Sequence, residues 1–254
     1  MRPRAAALLS LLAGSSALAS ERTLTWEYDS SVLPPGSKEL ELWSTGRFGK
    51  PEGYSAFDNR AELEMGLVDQ LQTSLYVNFG TVYDYGSLVS NWSISNEWKW
   101  KLLDPVADVI GLALYGELTF GPSEEELEAK VILDKRFGKL LLALNLIGEY
   151  EWENLNPGWL HEQQLEAAFG SEYNLGAGFH LGVEARLNNV WEGGTGFVGG
   201  ALFLGPVVSY VRPTWWVALS VLAQVVGYGS GTVDGLELDE HERINVRLLA
   251  GFDL

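Results

Sequence analysis

LEMGLVDQLQTSLYVNF, residues 63 to 79, carries an apolar residue at every second position on both sides of a tight polar interruption. Successive side chains of a β-strand point to opposite faces. Leu63, Met65 and Leu67 therefore share one face of a first strand, and Leu71, Thr73, Leu75, Val77 and Phe79 share one face of a second. So short a connection, Val68-Asp69-Gln70, joins the two as an antiparallel hairpin. The solvent that this apolar face meets decides the fold.

The same period of two recurs almost to the end of the chain. It aligns Trp92, Ile94, Trp98 and Trp100, then Ile110, Leu112, Leu114 and Leu118, and finally Ile244, Val246, Leu248, Ala250, Phe252 and Leu254. A soluble sandwich alternates in the same way, so the pattern alone does not choose between a core and lipid. Three features favour lipid. The segments run to roughly ten to twelve residues, the length that crosses a bilayer at a tilt and about twice that of a common soluble strand. Aromatic residues gather at strand ends on the apolar face, where Trp92, Trp100, Tyr150, Trp152, Tyr173, Phe179 and Trp191 would form two interfacial girdles. Connections alternate between short and long, as they do at the two ends of a barrel.

The short set is VDQ (68–70), LDPVAD (103–108), FGK (137–139), NLGAG (174–178) and RPT (212–214). The long set is GKPEGYSAFD, YDYGSLVSN, GPSEEE, ENLNPGWLHE, EGGTG and GYGSGTVDGLELDEHE. Strands counted between them give an all-β fold, a transmembrane antiparallel up-and-down β-barrel of about 12 strands over residues 38–254. Residues 20–37 precede it as a periplasmic lead-in. Its TLTWEYD and its Pro34-Pro35-Gly36 break suit a segment that pairs at the barrel edge or enters the barrel. Residues 1–19, MRPRAAALLSLLAGSSALA, have two arginines, a short apolar run and a small-residue Ala17-Leu18-Ala19 end, the layout of a secretory signal peptide. Two stretches resist this scheme. SEEELEAKVILDKRFG offers a helical capping box, Ser123 with Glu126, and VGGALFLGPVVSYV is apolar on both faces, which leaves its register open.

Composition agrees with an exported barrel. At 46% hydrophobic and 20% charged the chain is ordered, and a net charge of -17 excludes a nucleic-acid partner, whose phosphates it would repel. With no cysteine, disulfides, thiolate metal sites and cysteine nucleophiles are excluded.

Two stretches resemble a poorly characterised group of Gram-negative outer-membrane β-barrel proteins. SSVLPPGSKELELWSTGRFGK (30–50) is similar to that group's Leu-Pro-x-Gly followed by Glu-Leu-Glu-x-Trp, and RAELEMGLVDQLQTSLYVNF (60–79) to its Glu-x-Glu-x-Gly-Leu-x-Asp-x-Leu-Gln. The resemblance covers about a third of the chain after residue 19 and implies a barrel in the bacterial outer membrane, with no ligand or activity attached. The end of the chain also looks like the outer-membrane assembly signal, with Phe252 third from the end and Leu254 where that signal usually has an aromatic.

If the apolar alternates face lipid, the lumen receives Glu62, Glu64, Glu97, Glu117, Glu128, Glu149, Glu184, Arg186, Arg243 and Arg247. Such a lining fits a porin-like passive channel for small polar or cationic solutes. It also fits cross-strand Glu–Arg pairs that fill a narrow interior, which gives a non-conducting structural or surface-binding barrel with acidic outer loops. A third reading, a lipid-modifying barrel enzyme, needs a His-Ser or His-acid pair, and no local motif sets such partners beside His161, His180 or His241. DGLELDEHE lacks the one-three-five spacing of a calcium loop. Gly194, Gly196 and Gly199 match G-x-G-x-x-G but precede a strand, so they do not bind a dinucleotide, and the NWS at Asn91 is incidental. The sequence therefore predicts no catalytic residue, metal or cofactor. Its expected partners are outer-membrane lipid and lipopolysaccharide, the barrel-assembly machinery and small solutes.

Overall fold

The computed structural model describes residues 21–154 and 158–254, without the side chain of residue 52. The predicted signal peptide lies outside the described residues. Strands β1 (Lys38–Phe48), β2 (Ser55–Val68), β3 (Leu71–Asp84), β4 (Ser87–Leu103), β5 (Gly111–Phe120) and β6 (Glu124–Phe137) follow one another as hairpins. They continue through β7 (Leu140–Asn154), β8 (Trp159–Gly176), β9 (Phe179–Glu192), β10 (Gly196–Arg212) and β11 (Trp215–Gly229). A small hairpin of β12 (Thr232–Val233) and β13 (Leu236–Glu237) interrupts the last connection before β14 (Ile244–Asp253). β14 pairs with both β11 and β1, which closes an antiparallel barrel of twelve strands.

Closure satisfies the backbone of every wall strand and leaves the outside apolar. Leu75, Val77, Phe79, Ile94, Leu114, Leu165, Phe169, Leu181 and Leu248 are each 40% or more exposed. A continuous apolar belt of that extent faces lipid, not water. Its aromatics fall into two groups. Trp100, Tyr173 and Phe179 lie at the end that carries the short turns and Lys38, whereas Trp92, Tyr150, Trp152 and Trp191 lie toward the other end, where Tyr150 and Trp152 pack with ring centroids 4.5 Å apart.

One open stretch is decided and two sequence expectations change. The capping-box stretch is not a helix but β6, because Leu127, Ala129, Val131 and Leu133 alternate on the lipid face and outweigh local helix propensity. Several connections expected to be long are tight instead. Tyr85 and Gly86 alone join β3 to β4, both at positive φ (47° and 80°) as a two-residue hairpin turn demands, and the polar residues around them extend the ladder beyond the belt. Finally, Arg243 does not enter the lumen. It precedes β14, is exposed, and donates from Nε to the carbonyl of Gly49 at 3.0 Å, where it pins the rim.

Candidate functional site

The twelve-stranded lumen is occupied by the chain's own lead-in. Residues 21–37 make a loop inside the barrel from the short-turn end, and Arg22, Thr23, Leu24, Thr25, Trp26, Glu27, Tyr28, Ser30 and Leu33 are all buried. Backbone bonds join the segment to the wall only at its end, where Gly36 N donates to the Gly66 carbonyl at 2.9 Å and Gly66 N to the Ser37 carbonyl at 3.0 Å; residues 21–35 form no ladder with the described wall strands. Side chains hold it: Thr25 Oγ1 donates to Glu184 Oε2 at 2.8 Å and its backbone N–H to the other oxygen, Tyr28 N donates to Asn145 Oδ1 at 2.7 Å, and Asn145 Nδ2 returns a bond to the Tyr28 carbonyl at 2.9 Å. Ser30 N bonds Asp134, Leu33 N bonds Gln72, and Arg136 pairs with Asp29 at 2.7 Å. Apolar residues complete the seat. Leu24 packs on Leu141, Ala143 and Val207, Trp26 on Ala201, Phe203 and Leu222, and Tyr28 on Ala113, Tyr115 and Ile132. This is why VGGALFLGPVVSYV is apolar on both faces: one meets lipid, the other meets the plug.

Glycines make room for it. A Cβ on Gly66 would stand 2.1 Å from the Pro34 carbonyl oxygen, and one on Gly170 would stand 2.6 Å from Leu24 Cδ1. Both wall positions are shaped to the segment inside them.

Beyond the plug a polar chamber of about 390 Å³ remains, with Trp26 and Trp43 at its base. Its charges are unevenly spread around the barrel. Arg47 on β1, Arg60 on β2, Arg186 on β9 and Arg247 on β14 lie toward one side, with Asp58 of β2 among them, while Glu117, Glu126, Glu128, Glu149 and Glu166 come from β5 to β8, with Lys130 of β6 among them. Arg186 pairs with Glu166, Arg60 with Glu117 at 3.4 Å, and Lys130 with Glu128 at 2.9 Å. Arg247 has no carboxylate within ion-pair distance among the described residues; its Nε donates to Thr45 Oγ1 at 2.9 Å and its guanidinium stacks on Trp26. The last connection folds over the mouth, with Glu242 paired to Arg47 at 3.0 Å and His241 bonded to Glu237 and Asn188. Burial holds the His241 imidazole below its ordinary value, a pull that outweighs the Glu237 carboxylate beside it.

The predicted lumen residues thus divide. Glu117, Glu128, Glu149, Arg186 and Arg247 line the chamber, whereas Glu62, Glu64, Glu97 and Glu184 are buried in the interior, Glu184 as a direct ligand of the plug. Arg47 and Arg60, which strand parity also turns inward, line the chamber as expected; Trp26 and Trp43 were not singled out in the sequence, and the alternation of Leu24, Trp26 and Tyr28 was the available sign that the lead-in is packed. Thr23 Oγ1 and His180 both bond Glu172, so the acid lies between hydroxyl and imidazole, the wrong order for a nucleophile activated by histidine.

A closed twelve-stranded antiparallel barrel with an apolar girth and a charged lumen is the architecture of bacterial outer-membrane barrels. The chain belongs to DUF6662, a family of unknown function whose model matches residues 16–254. Among curated proteins none matches. Solved structures similar in fold include the COG4313 outer membrane channel from Pseudomonas putida F1, at 13% identity and TM-score 0.64 over 89% of this chain and 98% of that one. The NanC porin is similar at 13% identity and TM-score 0.56 over 85% and 100%. The KdgM porin, solved in complex with disordered oligogalacturonate, gives 8% identity and TM-score 0.51 over 85% and 99%.

Proposed function

We propose that the protein sits in the outer membrane with its short-turn end in the periplasm, and that it is a channel for small polar or cationic solutes closed at rest by residues 21–37. The observation that carries this reading is the plug itself, seated from Arg22 to Leu33 by side-chain hydrogen bonds with no strand pairing and tethered to β2 at Gly36 and Ser37, below a chamber open to charged walls. Such a seat can be vacated without breaking the barrel. The uneven spread of Arg and Glu around the chamber orients dipolar solutes, and the acidic excess at the rim, where Glu162, Glu192 and Glu240 gather, raises the local concentration of cations. The similar porin and channel structures support the class of activity and leave the solute open.

Planar-bilayer recordings of the full chain and of a variant lacking residues 21–34 test it. Expected are rare openings in the full chain and sustained, cation-preferring conductance in the shortened one, with the preference reduced by Glu126→Gln and Glu149→Gln. If the shortened barrel is folded and silent, the channel reading fails and the protein is a structural barrel whose acidic outer connections face its partners.

A further inference from the structure

Cross-strand register brings carboxylates side by side in the periplasmic half of the lumen. Glu39 faces Glu64, Glu41 faces Glu62, and Ser74 stands between Glu64 on β2 and Glu97 on β4. Glu39, Glu41, Glu62, Glu64 and Glu97 are at most 3% exposed. Like charges directly opposite one another repel, and buried charges without counter-ions cost far more, so five such carboxylates need neutralising. Arg22 lies 3.5 Å from Glu41, and Lys99 follows Glu97 on the same face. Arg60 and Lys130 are committed to Glu117 and Glu128. Five carboxylates thus face two cations.

The five are not equivalent. Trp216 Nε1 donates to Glu39 at 2.9 Å and Trp43 Nε1 to Glu41 at 2.7 Å, which leaves each partly satisfied. Among the described residues, both oxygens of Glu62 and of Glu97 have no hydrogen-bond partner, and neither has the hydroxyl of Ser74, a fully buried neutral side chain on the same inward row. One carboxylate oxygen from each of Glu62, Glu64 and Glu97 lies within 4.8 Å of the other two. Oxygen-only donors of this charge match hard divalent ions, not copper or zinc.

We propose that Glu62, Glu64, Glu97 and Ser74 form a binding site for a divalent, oxygen-preferring cation of the calcium or magnesium class, enclosed between the barrel wall and the plug. The ion neutralises the excess charge and supplies the partner that the orphaned oxygens lack. Because Arg22 of the plug is paired with neighbouring Glu41, filling the site also steadies the segment that closes the lumen. The ion enters as the protein folds and takes no part in conduction.

Terbium luminescence tests this on the full chain, refolded in detergent with Tb3+ at pH 8 and desalted; Trp43 and Tyr76, which lies across from Glu62, serve as antennae. Expected is retained, sensitised terbium emission that refolding with excess Ca2+ suppresses. Affinity falls by roughly tenfold or more in Glu62→Gln, Glu97→Gln and Ser74→Ala, the last of which removes one oxygen and leaves the charge. Glu162→Gln with Glu240→Gln, which disables the acidic group at the rim, leaves the emission in place. No sensitised emission in the wild type, or emission that survives the lumen substitutions and disappears with the rim pair, overturns the proposal; the carboxyls then hold protons. The readout needs no ion current, so a silent barrel leaves this site standing and a conducting barrel does not prove it.

Discussion

The guanidinium carbon of Arg247 lies 3.2 Å from the centroid of the Trp26 ring, and that of Arg186 lies 3.5 Å from the same centroid. Two wall strands, β14 and β9, thereby grip the same residue of the plug. Each contact is a cation–π interaction worth about 0.5–2 kcal/mol, and the ring also packs on Phe203 and Leu222. Trp26→Ala removes all of these at once, a loss of about 3 kcal/mol or more, which is a factor of roughly 100 in the ratio of seated to displaced plug. Proteoliposome swelling with small neutral and cationic solutes should therefore be faster for this variant than for the wild type. Equal rates would mean that Trp26 does not hold the closure.

Gly66 and Gly170 separate plug displacement from barrel unfolding. Alanine at Gly66 sets its Cβ against backbone oxygens of Pro34 and Leu33, at 2.1 and 2.5 Å, and the lead-in must move. At Gly170 the nearest atoms are the ends of the Leu24 and Glu27 side chains, at 2.6 and 2.8 Å, which can turn aside. Gly66→Ala should open the lumen more than Gly170→Ala. Gly116→Ala, with its nearest atom at 4.0 Å, should change nothing. All three barrels should still show the heat-modifiable electrophoretic shift of a folded wall, and swelling rates that fail to follow this order would count against steric seating of the plug.

These glycines also show where the sequence was legible. Leu63 to Phe79 could be assigned to a lipid-facing hairpin because a period of two is local, and lipid is the same partner for every strand. Phe203 and Val207 could not be assigned, since their partners, Trp26 and Leu24, lie far away in the chain and on no ladder. An inner face that is apolar on β10 and β11 but acidic on β2 implies an occupant other than water on one side. Glu62 and Glu97 were legible as lumen residues, but nothing local revealed that both would be buried without partners. Arg243 was misplaced by parity alone, because the rim ends the alternation one residue before β14 begins.

The connection over the mouth should loosen in acid. The His241 imidazole is buried, which lowers its folded value beneath the unfolded value of about 6.5 despite its bond to Glu237. A depressed histidine contributes stability that is present above the unfolded value and is lost as pH falls through the folded one. Amides of residues 230–242 should then exchange hydrogen faster at pH 5 than at pH 7, once intrinsic rates are corrected. The carboxyls of Glu237 and Glu242 share this connection with the imidazole, so His241→Gln is the control that assigns the effect. A loop with unchanged protection in the wild type, or the same pH response in His241→Gln, would remove the imidazole from this role.

The apolar girth makes a prediction of its own about the solvent outside. Leu114 lies near the middle of β5 on the outward face, 42% exposed, while Phe120 ends the same strand on that face at 51%. In water, arginine at either exposed position would be nearly neutral. In a bilayer the cost depends on depth, at about 2–4 kcal/mol near the midplane and about 0–1 near the interface, where a long cation reaches the headgroups. Leu114→Arg should therefore lower the stability measured by denaturant titration in lipid vesicles by that larger amount, and Phe120→Arg should cost little from the charge itself. The paired inward position supplies the contrast: Tyr115 is buried against Tyr28 with ring centroids 5.4 Å apart, so Tyr115→Ala loosens the plug as well as the wall. Equal penalties for Leu114→Arg and Phe120→Arg would mean that the belt does not meet acyl chains.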